Sequence, residues 1–151
     1  MEKTRYRGTK DEVRALKTYV KLMRASESVS ARIHGQLAAT VLTVSQFGVM
    51  EALYHLGPLS QGELAKKILR SRGNITMVID NLEERGLVKR ERNRQDRRFY
   101  AVRLTSEGRR LIGSIFPRHA AKIVEEMKSL TRSEQEELSR LCRKVGLGED
   151  K

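Results

Sequence analysis

The chain has one cysteine, Cys142, and no tryptophan. A single cysteine excludes an internal disulfide and any cysteine-rich zinc site. Aromatic residues make up only 5% of the 151 positions and hydrophobic residues 38%. That is a lean supply for one self-contained core, and it fits a helical chain that buries further surface in a dimer. Long apolar runs are missing: each is interrupted well before a membrane-spanning length. The opening Met1-Glu2-Lys3-Thr4-Arg5 leads into polar sequence and not into an apolar signal core, so a cytoplasmic protein with no membrane association is expected. Acidic charge is scarce beside basic charge: 19 Asp and Glu against 31 Lys and Arg give a formal net charge of +12. Such an excess points to a polyanionic partner, nucleic acid or an anionic membrane surface. Catalytic signatures are missing too, with no glycine-rich phosphate loop, Gly-x-Ser-x-Gly elbow or His-Glu-x-x-His pair. His34, His55 and His119 are dispersed without ligand spacing, and Glu83-Glu84 and Glu125-Glu126 fall inside helical stretches as solvated faces. No catalytic site, metal or cofactor is expected, and one domain over 1–151 is the simplest partition.

What is present is a series of helix starts. Thr9 to Glu12, Thr43 to Gln46, Ser60 to Glu63 and Thr131 to Glu134 each place a capping side chain three positions before Glu or Gln. After the first, Val13, Leu16, Val20 and Met23, then Val29, Ile33 and Leu37, recur at helical spacing and predict a long first helix, with a kink expected around Ser26 to Ser30. A second helix carries Phe47, Met50, Leu53 and Tyr54 and closes at Gly57-Pro58; a short third carries Leu64, Ala65 and Ile68. Thr105 opens a long helix with Leu111, Ile112, Ile115, Phe116, Ile123 and Met127 on one side, which Pro117 is expected to kink or split. The last helix sets Leu138, Leu141 and Val145 on one face, with Cys142 beside them as a small buried hydrophobe, and ends at Gly146 or Gly148. The two end helices show more apolar surface than a small monomer covers, so a homodimer is expected.

The stretch from Ser71 to Gly108 organises the rest. Ser71 is a fitting N-cap; Ile75, Val78, Ile79 and Leu82 form one apolar face; Gly86 suits a left-handed helix end. Leu87-Val88-Lys89-Arg90 then starts a strand, and Tyr100, Val102 and Leu104 alternate at strand period on the return. Asn93-Arg94-Gln95-Asp96 is turn chemistry between them. From Lys89 to Arg98 there are six cations against Glu91 and Asp96. Preceded by the short third helix, this makes a helix-turn-helix with a cationic β-hairpin, which suits a DNA duplex: helix in the major groove, hairpin tip toward phosphates and minor groove. Groove-facing candidates on the helix are Arg72, Asn74, Thr76, Met77 and Asn81, because arginine matches guanine edges, asparagine adenine edges, and threonine and methionine thymine methyls. Packing of Met77 and backbone bonding by Thr76 are the competing readings. Asp80 would repel phosphates and is expected to turn toward Arg72 or Arg85, or to reject particular contacts. Ser60 and Gln61 at a helix N-terminus, with Lys89, Arg94 and Arg97, are the phosphate candidates. Arg98 is the candidate for the minor groove, whose narrow stretches concentrate negative potential; a surface arginine paired to Asp96 is the competing reading.

Asn81-Leu-Glu-Glu-Arg-Gly-Leu-Val88, Asp96-Arg97-Arg98 and Leu104-Thr-Ser-Glu-Gly108 resemble the MarR-type winged helix-turn-helix regulators over nearly the whole chain, and Leu42-Thr43-x-x-Gln46-Phe47 resembles a common opening of that region. The resemblance implies a mainly α (α+β) fold: about six helices plus a β-hairpin wing, long dimerisation helices over 9–40 and 106–147, and a DNA-binding lobe over 43–105. It places Arg98 at the family's wing arginine, with Asp96 as its orienting carboxylate. It implies a dimeric transcriptional regulator on a pseudo-palindromic double-stranded DNA operator, a repressor released by a small aromatic or phenolic effector bound between the dimer-forming helices and the DNA lobe. Met50, Tyr54, Phe116 and His119 are candidates to line that cavity, with plain core packing the favoured reading for them. The cysteine that the peroxide-sensing branch carries near the first helix has no counterpart here. The alternatives are a sequence-nonspecific architectural DNA binder and a winged-helix module for protein or RNA.

Overall fold

The computed structural model describes residues 5–68, 72–92 and 94–148, and Ser71 and Asn93 lie outside them, as does the Arg72 side chain. Six α-helices and a small antiparallel sheet follow in the order α1 (Lys10–His34), a 3-10 turn (Gly35–Ala39), α2 (Val44–Leu56), β1 (Leu59–Ser60), α3 (Gln61–Lys67), α4 (Arg72–Glu84), β2 (Val88–Arg92), β3 (Tyr100–Leu104), α5 (Ser106–Met127) and α6 (Arg132–Leu147). Capping boxes close at Thr9, Thr43 and Thr131, each hydroxyl accepting from the N–H three residues on while Glu or Gln returns the bond. At Ser60 the hydroxyl accepts from Glu63 N–H without the return bond. No single described helix is long and apolar enough to cross a membrane.

The core belongs to the middle of the chain. Met50 and Leu53 of α2, Leu64 of α3, Ile75, Ile79 and Leu82 of α4, Val88 and Val102 of the hairpin and Ile112 of α5 are almost wholly buried together. By contrast α1 and α6 contain no buried residue. Leu16, Val20 and Met23 on α1 and Leu138, Leu141 and Val145 on α6 all stand exposed in the protomer.

α1 is one continuous helix over Lys10–His34, followed by the 3-10 turn at Gly35–Ala39. Expectations are corrected at Pro117 and Cys142. Pro117 sits inside one continuous α5 and does not split it. The ring costs one backbone bond and a clash, ~3 kcal/mol in a free helix. Here burial of Ile112, with Ile115 and Phe116 packed on the core, offsets that, at about 1.5–3 kcal/mol per fully buried side chain. Cys142 is exposed in the protomer and not buried. Gly148, with φ 63°, ends α6, and Gly146 remains helical. The two-residue β1 is too short to show a period in sequence; it pairs Leu59 with Val102 and Ser60 with Ala101, completing the sheet order β1-β3-β2.

One junction ties the hairpin to the long helix behind it. α4 ends at Gly86, whose φ of 72° favours glycine, and Leu87 N–H returns to Leu82 O. The Thr105 hydroxyl donates to Gly86 O at 2.6 Å and accepts from Gly108 N–H at 3.0 Å, while Thr105 N–H donates to Leu87 O. A Cβ at position 108 would lie 2.0 Å from the Leu87 carbonyl oxygen. The Leu-Thr-x-x-Gly spacing therefore has a physical reason: threonine caps α5, and glycine admits the backbone of the preceding turn. Gly108→Ala is expected to lower stability by about 1–3 kcal/mol or more, as overpacking against backbone does, measured by thermal and urea unfolding. Unchanged stability would mean that the junction yields freely.

Candidate nucleic-acid interface

α4 turns its apolar side inward, so its polar side is presented to solvent. Asn74, Thr76, Met77, Asp80 and Asn81 are all exposed, and Met77, at 64% exposure, is not a core residue. The backbone of Arg72 opens the helix. Of the phosphate candidates, Lys89, Arg94 and Arg97 are exposed on the hairpin and its loop. Ser60 and Gln61 are half-buried at the start of α3. Ser60 is occupied as the α3 cap, and Gln61 lies between α4 and the hairpin, its amide donating to Thr76 Oγ1 at 3.2 Å.

The residue that assembles these pieces is Arg90 on β2, which sequence reading counted only as one more wing cation. Its side chain is 19% exposed and reaches two carboxylates of α4, Asp80 and Glu83, the latter at 3.0 Å. Its Nε donates to Gln61 Oε1 at 2.9 Å, and its backbone N–H donates to Glu83 Oε2 at 2.8 Å. One guanidinium thus links α3, α4 and the hairpin, and arginine's planar five-donor fork is suited to several acceptors at once. Asp80 is held by Arg90 and not by Arg85; the expected alternative, Arg72, has its side chain outside the described residues. Arg85 instead donates to Val41 O and Gln46 Oε1, fastening the end of α4 to the strap before α2. The sequence did carry a signal for Arg90: in β2 it shares the strand face of Val88, which is buried, so a charge there needs partners.

At the loop, Arg98 grips Asp96 through two bonds, Nε to Oδ1 at 3.0 Å and Nη2 to Oδ2 at 2.9 Å, and its backbone N–H also donates to Oδ1. These side-chain and then backbone bonds hold the Asp96 carboxyl below its ordinary pKa, and the carboxylate in turn raises that of Arg98. The Arg98 side chain is 84% exposed, so the pair adds little to stability and instead orients a cation outward. The rest of the hairpin is braced by Arg92 over the Tyr100 ring, 5.7 Å from its centroid, and by Arg103 with Glu91 at 2.8 Å. The chemistry available is recognition: rigid hydrogen-bond donors, a polar helix and an outward cationic loop. Among the described residues no His, Cys, Asp or Glu cluster could hold a metal ion.

Behind the head, a cavity of about 760 Å³ lies between the strap Gln36–Val41 and α5, with Leu37, Leu111, Ile115, His119 and Lys122 among its walls. Of the four candidates for a cavity lining, only His119 reaches it; Met50 is buried core, and Tyr54 and Phe116 pack against that core. His119 rests on Phe47, ring centroids 4.5 Å apart, and 3.8 Å from Glu51. Burial chiefly lowers its pKa, opposed by Glu51 and assisted by His34.

Arg90→Ala is expected to leave Asp80 and Glu83 as unpaired anions beside the helix face that would meet phosphates. Duplex affinity should fall, and adding Asp80→Asn and Glu83→Gln should restore part of it. Full affinity in Arg90→Ala, measured by titration at fixed salt, would remove the clamp from the account.

Comparison with known proteins agrees with this geometry. A family model described as MarR family matches residues 42–99. The chain is 34% identical over 134 residues to the HTH-type transcriptional regulator MhqR of Bacillus subtilis, spanning 89% of this chain and 92% of that one. Among solved structures, Bordetella bronchiseptica BpsR, whose DNA binding is regulated by 6-hydroxynicotinic acid, superposes with a TM-score of 0.75 at 26% identity, over 86% of this chain and 98% of BpsR. Sco3205 of Streptomyces coelicolor, a MarR family transcriptional regulator solved in complex with DNA, has a TM-score of 0.78 at 23% identity, over 100% of this chain and 94% of Sco3205, a likeness of fold.

Proposed function

This chain belongs to the MarR family of DNA-binding transcriptional regulators, and we propose that it acts in the cytoplasm as a homodimeric, sequence-specific repressor released by a small aromatic or phenolic effector. The observation that carries the reading is the Arg90 clamp, which joins the exposed polar helix α4 to the hairpin whose loop presents an outward Arg98. In this reading Arg72, Asn74, Thr76, Met77 and Asn81 face base edges in the major groove. Lys89, Arg94 and Arg97, with Ser60 and Gln61, meet phosphates, and Arg98, steadied by Asp96, enters the minor groove. The Gln61 amide is already engaged with Thr76 and Arg90, so its contribution to phosphate is through the start of α3 and not through a free side chain.

Dimerisation rests on the apolar faces of α1 and α6, within 9–40 and 106–147. Leaving Leu138, Leu141 and Val145 in water forgoes on the order of 1.5–3 kcal/mol each relative to full burial. Two copies would set two reading heads on half-sites about one helical turn apart, roughly 34–36 Å. For the effector, the roughly 760 Å³ cavity is of ligand size. Its strap wall also holds Arg85 through Val41 O, so an occupant that shifts the strap would shift α4.

Arg98→Ala should weaken duplex binding strongly with melting temperature nearly unchanged, whereas Asn74→Ala should relax preference at particular bases by ~1–3 kcal/mol. Titrating both against a panel of point-changed operators checks this; parental affinity in Arg98→Ala, or an Asn74→Ala effect uniform over all sequences, would reassign them. Leu138→Asp with Leu141→Asp should yield monomers by sedimentation and lose most affinity for a two-half-site duplex but little for a single half-site. A well-folded dimer with full-site affinity would contradict the assembly.

A further inference from the structure

A second charged surface lies outside the reading head. Lys10, Arg14, Lys17, Lys21 and Arg24 follow one another on α1 at spacings of four, three, four and three residues. At 3.6 residues per turn they fall within an arc of about 80° and form a row about 21 Å long. No carboxylate interrupts the row; Arg14 meets Asp11 from its side at 2.6 Å, while Lys10, Lys17 and Lys21 make no ion pair among the described residues. Lys10, Arg14, Lys17 and Lys21 also line a shallow groove of about 530 Å³. The row lies on α1, outside the helix-turn-helix and the hairpin. α1 packs chiefly on the 3-10 turn and α5, and Arg32 binds Glu126 at 2.6 Å. Glu126 lies about 30 Å along α5 from its wing end at Ser106, at 1.5 Å per residue.

From this placement we infer that the α1 row is a second, sequence-independent binding surface for the phosphate backbone of another duplex segment, so that one dimer holds two duplexes. The inference rests on the homodimeric DNA-binding reading above. A straight, one-sign row matches a regularly charged backbone, whose binding comes from counterion release and needs no base contact. A lipid surface fits less well. An interfacial helix needs its apolar face free, and Leu16, Val20 and Met23, which flank the row on one side, are the face assigned to the second copy.

The test uses beads carrying the selected two-half-site duplex, loaded with the full chain and then offered a labelled duplex of unrelated sequence. The parent is expected to retain the label and release it as salt rises. The variant Lys10→Gln, Lys17→Gln, Lys21→Gln should load equally and melt alike, but retain about tenfold less label or lower still, since each lost phosphate contact flattens the salt dependence by roughly 0.9. Four results would overturn the inference: a loaded parent that retains nothing, a triple variant that retains as much as the parent, a triple variant that no longer loads, or a parent that captures phosphatidylserine vesicles in place of the duplex. If no duplex of any sequence loads, the regulator reading is what fails. Direct titration of parent and triple variant with the unrelated duplex then decides the row alone, a tenfold loss supporting it and equal affinity overturning it.

Discussion

The angle between α4 and the hairpin depends on the guanidinium of Arg90. Both elements carry groups that would otherwise work against a polyanion: Asp80 and Glu83 stand on or beside the exposed side of α4, within reach of any phosphate that approaches it. Arg90 neutralises them, ties them to its own strand and holds Gln61 of α3 in the same grip. Pairs on an open surface add little, but the Arg90 guanidinium is largely covered and hydrogen-bonded on several sides, although its two carboxylates are exposed. Helix, turn and hairpin are thereby joined into one head, and in the proposed reading that joining would let a few side chains discriminate base edges.

That head is joined to the rest of the molecule at two places. Thr105 and Gly108 knit the end of α4 to the start of α5, and Arg85 knits it to the strap before α2. The strap and α5 are also the two walls of the large cavity. A displacement of either wall is therefore transmitted to the head through hydrogen bonds and close backbone contact. The far end of α5 is held to α1 by Arg32 and Glu126, with Lys122 alongside. The apolar faces of α1 and α6 stay uncovered in the protomer, and in the proposed reading a second copy covers them.

Much of the fold was legible because its signals are local. Capping boxes at Thr9, Thr43 and Thr131, the apolar period of α4 and the strand alternation of β3 are each set by neighbours a few residues apart, and all formed as read. The departures have non-local causes. Pro117 stays in an unbroken helix because packing of α5 on α2 outweighs one lost bond. β1 exists only because β3 offers it an edge. The exposed Cys142 follows from an α6 whose apolar face has no cover within the protomer. In the candidate interface, the exposed set on α4 was readable from spacing, and the Asp96–Arg98 pair from the family resemblance. The role of Arg90 was not, because its partners come from three elements and meet only after folding; its place in the row of Val88 was the one clue.

The central claim is that two such heads read two related half-sites on one duplex. Selection of duplexes from a random pool, followed by footprinting of the winner, tests it most directly. The account predicts an enriched inverted repeat with centres about one helical turn apart, roughly 34–36 Å. It also predicts major-groove protection at each half and minor-groove protection at the flanks, where Arg98 would lie. A pool that enriches no sequence while still binding, or a winner with a single unrepeated site bound by one copy, would contradict it.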